Sequence, residues 1–131
     1  MIPVIVPAYA AVLAILYIFL SARVIRSRIS ERVKIGTGGS RIVERRMRIH
    51  ANFAEYVPLA IVLLIVMEMQ GRPSLWLHIL CIVLVIARIG HVIALWSDKE
   101  IFPLRVASVF TTFVVIAAAS LSVLGRALQM W

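Results

Sequence analysis

The chain is short of acid, short of cysteine and short of aromatics. Its 131 residues carry 14 Lys and Arg against 6 Asp and Glu, a net charge of +8. One cysteine, Cys81, lies inside an apolar run, so neither a disulfide framework nor a zinc pattern can be built from it. It reads as a small apolar residue within a helix. No metal-ligand spacing occurs elsewhere. Aromatics make up only 8%, and no basic patch interleaved with them stands apart from the apolar segments. A nucleic-acid partner is therefore not expected despite the charge. No positive charge precedes the first apolar run, and no small-residue cleavage pattern follows it, so it reads as a retained helix rather than a signal peptide.

What is present is apolar. Hydrophobic residues make up 63%, against roughly 45–50% in soluble proteins, and the mean hydropathy is +1.02. Four runs are long enough to cross a bilayer, which takes roughly 20 residues each. They fall at about 2–22, 45–69, 74–96 and 104–125. The expected fold is an all-α integral membrane four-helix bundle in one domain. Pro3 and Pro7 sit in the first turns of the first helix, where a missing amide costs least. Arg23, Arg26, Arg28, Arg32 and Lys34 continue it beyond the hydrocarbon, and Gly36–Gly39 break it. Without a preceding strand or a following Gly-Lys-Ser/Thr, those glycines read as turn punctuation rather than a phosphate loop. Trp76 and Trp96 frame the third helix like two interfacial belts. Small residues on the fourth, among them Ser108, Thr112 and Ala119, suit close helix contact in lipid.

Nine of the fourteen Lys and Arg lie between Arg23 and Arg48. The positive-inside rule then places the first and third loops in the cytosol and both termini on the periplasmic side of an inner membrane. The second helix is the organising segment. At about 100° per residue, Arg41, Arg45, Arg48, Asn52 and Glu55 fall on one stripe. A basic stripe descending into hydrocarbon and ending on an amide and a carboxylate is costly unless neighbours or a ligand satisfy it. Arg41, Arg45 and Arg46 read mainly as lipid-headgroup anchors. Pro58 should bend this helix, and Glu68 should sit solvated at its outer end. In the third helix, Arg88 is expected to pair with Glu55 or a carbonyl, and His78 to be a structural core histidine.

The run Arg48-Ile-His-Ala-Asn52-Phe-Ala-Glu55-Tyr56-Val-Pro58 resembles the second-helix pattern of the MAPEG family, the membrane-associated proteins in eicosanoid and glutathione metabolism. Five specified positions in eleven residues carry it. Ala87-Arg88 with His91, and Pro103-Leu104-Arg105 opening the fourth helix, extend the resemblance, which is greatest to short bacterial members. It implies a left-handed bundle, a homotrimer, and glutathione bound between subunits near the cytosolic side. It also implies contacts from Arg48, Asn52, Glu55 and Tyr56, with Arg28 and His91 as further binding residues and Arg105 as the catalytic, thiol-activating cation. Several enzymes of the family carry a tyrosine where this chain has Leu95.

The residue chemistry is compatible with that implication. Arginine forks suit the two carboxylates of glutathione, Glu55 suits its ammonium, and Asn52 its peptide amides. A thiol near pKa ~8.5 is mostly protonated at neutral pH. A fixed cation at the sulfur favours the thiolate, each tenfold gain taking ~1.4 kcal/mol. The second substrate would be an apolar electrophile or hydroperoxide arriving through the lipid. Two other readings are a non-catalytic lipid-binding or scaffold protein of the same fold and a small proton-coupled exporter. The exporter would depend on Glu55, the only carboxylate deep in an apolar segment.

Overall fold

The computed structural model describes residues 2–97 and 99–128. Four helices account for most of them: α1 (Ile5–Ser30), α2 (Arg41–Met69), α3 (Ser74–Ala94) and α4 (Phe102–Ala127). All four are long and apolar enough to cross a membrane, and there is no strand among the described residues.

Local chemistry sets the boundaries. The 31–40 loop carries Gly36, Gly38 and Gly39 at positive φ. At Gly38 a Cβ would come within 2.7 Å of Val33 Cγ2, so the turn closes there only around glycine. Ser40 then caps α2, its Oγ accepting from the Val43 amide at 3.4 Å and donating to Glu31 Oε2 at 2.9 Å. Gly71, at φ 75°, turns α2 into α3, which starts after Pro73. Pro103 occupies the first turn of α4.

The helices alternate in direction. At one end the side chains of Gln70 and Arg72 donate to the carbonyls of Val123 and Ser122, tying the α2–α3 turn to the end of α4. At the other, basic end, Arg45 donates to the carbonyl of Ser97, tying the start of α2 to the end of α3. Around the bundle the order is α1, α2, α4, α3; α2 also touches α3, whereas α1 and α4 do not meet. Leu13, Leu20, Phe53, Val57, Leu64, Leu84 and Val115 form the core. The rows facing outward are equally apolar, with Ile15, Ile18, Ile86, Phe110 and Leu121 all more than 60% exposed. In lipid those rows are solvated by acyl chains, so the helices are held by packing and by interhelical polar contacts rather than by exclusion of water.

α3 and α4 approach closest through small residues. A Cβ placed on Gly90 would lie 2.7 Å from Ser108 Oγ. Cys81 is buried and free, in keeping with its reading as a small core residue.

Two polar side chains sit differently from their sequence expectations. Glu68 is not solvated: it is 5% exposed. Its Oε1 accepts from the amides of Val4 and Ile5, each at 2.6 Å, and its Oε2 from Val6 at 2.8 Å. The first turn of α1 has amides with no intrahelical acceptor, and antiparallel packing brings the end of α2 beside them. His78 is exposed rather than in the core, and its Nδ1 is hydrogen-bonded to Tyr9 Oη at 2.8 Å.

Candidate functional site

At the basic end, the start of α2, the first turn of α4 and the α3–α4 connection all contribute side chains to one cavity. The result is a cleft of about 260 Å³ lined by Arg41, Glu44, Arg45, Arg48, Leu95, Glu100 and Arg105. Helical spacing supplies three of its arginines: positions 41, 45 and 48 are one turn apart on α2. Arg105 comes from the first turn of α4 and is held by an ion pair to Glu100 at 2.8 Å. Four arginines against two glutamates leave the lining cationic.

Arg105 and Asn52 also face a second cavity of about 470 Å³ between α2 and α4. Its other walls are apolar, from Phe102, Val106, Val109, Phe110 and Phe113. A polar cleft and an apolar groove therefore share Arg105 as a common wall. Such a pair of spaces can take an anionic group at one side and a greasy one at the other.

The structure thus brings Arg48, Asn52 and Arg105 together. Tyr56 lies one turn further into α2, packed edge-on against Phe113 with ring centroids 5.1 Å apart. Glu55 is exposed on a membrane-spanning helix, and its carboxylate has no hydrogen bond or ion pair among the described residues. His91 is 3% exposed, and neither of its ring nitrogens has a hydrogen-bond partner. Arg28 lies apart from the cleft, donating to the carbonyl of Lys34 at 3.2 Å and to Met47 Sδ at 3.3 Å.

Arg88 is the buried organiser beneath this region, 1% exposed. Its Nη1 donates to Asn52 Oδ1 at 2.9 Å, and its Nη2 to Thr112 Oγ1 at 2.5 Å and the Ser108 carbonyl at 3.4 Å. The expected partner Glu55 does not take part; the carbonyl partner is present. Asn52 is the nearer acceptor because it sits on the inner edge of the stripe while Glu55 faces outward. Arg88 thereby links α2, α3 and α4 and fixes Asn52, leaving that side chain's amide nitrogen as its free donor.

Sequence reasoning missed Glu44 and Glu100 as cleft residues and read Arg41 and Arg45 mainly as headgroup anchors. The spacing of 41, 45 and 48 was the available signal for the arginines. Glu100 gave none, since its place depends on how the α3–α4 connection runs past the cleft.

These features define a four-helix integral membrane protein with a cationic cleft beside an apolar groove. The MAPEG family model matches residues 6–125, and the chain belongs to that family. It is 42% identical over 83 residues to the inner membrane protein YecN of Escherichia coli strain K12 and to its counterpart in Escherichia coli O6:H1 strain CFT073. The matched stretch covers 63% of this chain and 63% of those relatives. With the four apolar helices, this makes the chain an integral inner membrane protein. No solved structure matches.

Proposed function

We propose that this protein is a membrane-embedded, glutathione-dependent transferase or peroxidase, acting on an apolar electrophile or hydroperoxide. The observation that carries this reading is the convergence of Arg48 and Arg105 on one cleft, with Arg105 shared by an apolar groove. The donor set fits the tripeptide. The guanidiniums of Arg41 and Arg48 suit its carboxylates, and the carboxylates of Glu44 and Glu55 suit its ammonium. The free amide nitrogen of Asn52 suits a peptide carbonyl. Glutathione supplies the nucleophilic thiol. Arg105 holds positive charge at the junction of the two cavities, where a thiolate facing an apolar substrate needs it. Glu100 keeps Arg105 extended along the cleft wall until a ligand anion competes for it.

A homotrimer completes the proposal. The unpartnered Glu55 and the outlying Arg28 are then site residues contributed at subunit boundaries. Calorimetric titration of glutathione into the solubilised protein, beside Arg48→Ala, tests binding. Rapid mixing with glutathione should raise thiolate absorbance, and Arg105→Ala should abolish it. Heat of binding absent in the unmodified protein would refute the reading.

Leu95 favours a second reading. It lines the cleft at the place of a tyrosine seen in several enzymes of the family, so the wall there offers no hydroxyl. A non-catalytic lipid-binding or scaffold protein would retain lipid through purification and show no affinity for glutathione.

A further inference from the structure

A second basic cluster lies at a different corner of the basic end, where α1, α2 and the end of α3 meet. The guanidinium carbon of Arg23 stands 3.6 Å from the centroid of the Trp96 ring. Phe19, one turn back on α1, is parallel to the same ring at 6.3 Å. Arg46 of α2 reaches over and donates to the Arg23 carbonyl at 3.3 Å. The guanidinium of Arg23 thus lies against an aromatic wall, and that of Arg46 is anchored on the Arg23 main chain beside it.

Neither arginine has a carboxylate partner among the described residues. Arg23 Nη1 is buried without an acceptor, and its other guanidinium nitrogens make no hydrogen bond to any described residue. Paired cations in that state repel each other unless an anion sits between them. None of this belongs to the cleft of Arg48 and Arg105, whose lining includes neither Arg23 nor Arg46.

The depth and flanks of the cluster indicate which anion. Arg23 is the first charge after an uninterrupted apolar run, so it marks the boundary between hydrocarbon and headgroups. Below it Phe19 and Val12 share its face of α1; Ile93, whose carbonyl accepts from the Trp96 amide, and Ile89 one turn before it lie at the end of α3; all four are 45–53% exposed. From Arg23 to Val12 is eleven residues, about 16 Å of helix, or roughly one leaflet of a ~30 Å hydrocarbon core. A phosphate placed at the two arginines would have apolar tracks beneath it for its acyl chains.

We propose that Arg23, Arg46 and Trp96 form a specific site for the phosphodiester headgroup of an anionic glycerophospholipid on the α1–α3 face. The guanidiniums bind the phosphate oxygens, Trp96 pins Arg23 in place by cation–π contact, and the chains lie along the two helices. The assignment is independent of any glutathione chemistry.

The test places the protein, with Trp76→Phe and Trp131→Phe, in phosphatidylcholine bilayers containing brominated lipid, and reads quenching of Trp96. Brominated phosphatidylglycerol should quench at far lower mole fraction than brominated phosphatidylcholine. At roughly a factor of five per guanidinium, the preference should be on the order of 25-fold. Arg23→Gln or Arg46→Gln should each cut it to about fivefold, while Arg26→Gln should leave it intact. Arg46→Gln carries the same expectation if Arg23→Gln fails to assemble. Equal quenching by both lipids overturns the proposal. So does an equal loss in Arg26→Gln, which would mean diffuse surface charge. Displacement of the brominated lipid by inorganic phosphate at matched ionic strength would reassign the site to a free phosphate.

Discussion

Glu68 offers the sharpest test of how this bundle is held together. Its carboxylate accepts from the amides of Val4, Ile5 and Val6. Those are three of the four donors that the start of α1 cannot satisfy internally, and the fourth position is Pro7, which has no amide hydrogen. One side chain from the end of α2 therefore closes the whole first turn of a helix more than sixty residues away. Hydrogen bonds to a charged group contribute about 1.5–3 kcal/mol each. Freed amides near the interface can recover water, and substitution of an ordinary cap costs about 0.5–2 kcal/mol. Glu68→Ala should thus destabilise by about 3 kcal/mol. Glu68→Gln keeps one acceptor oxygen but loses the charge at the positive end of the helix, so about 1–2 kcal/mol is expected. Reversible unfolding in mixed micelles measures the loss. Hydrogen exchange localises it, with amide protection falling first at Val4 to Val6. If Glu68→Ala stays within ~0.5 kcal/mol of the parent, or if those amides exchange no faster, the carboxylate does not anchor α1.

Three further outcomes follow from the geometry. Arg88→Met should destabilise by roughly 2–4 kcal/mol, since it removes three charge-assisted bonds from a buried network, and Arg88→Lys should recover only part because it lacks the fork; the same unfolding assay reads both. Gly90→Ala should cost about 1–2 kcal/mol through overpacking against Ser108 Oγ, and Ser108→Ala should relieve it, a coupling measurable in a double-mutant cycle. Arg48→Ala should weaken glutathione binding by about tenfold or more, one charge-assisted bond of at least ~1.5 kcal/mol, with the fold intact by circular dichroism.

Much of the architecture was legible because membrane segments obey a length rule. Each span had to be long and apolar, with most charges at its ends, and the run expected at about 45–69 lies within α2. Helical period alone put Arg41, Arg45 and Arg48 on one face, and three of the four arginines of the cleft are those. Polar partners across helices were less legible. Glu68 looked like a solvated end because nothing near it in the chain shows that the first turn of α1 packs there. Arg88 was expected to pair with Glu55 or a carbonyl; it has the Ser108 carbonyl, and the rotation of α2 gave it Asn52 rather than Glu55.

By itself, then, the sequence determined four helices long and apolar enough to cross a membrane, the concentration of positive charge at one end and the residues that stand on a common stripe. These depend on hydrophobicity and on a fixed helical period, both local properties. Only the tertiary structure decided which stripe faces which. It joined Arg105 to Arg48 across a cleft, set Glu68 over the start of α1, and laid Arg23 on Trp96. Interhelical contacts depend on the rotation and offset of whole helices, which many weak packing contacts settle together and no short stretch of residues encodes.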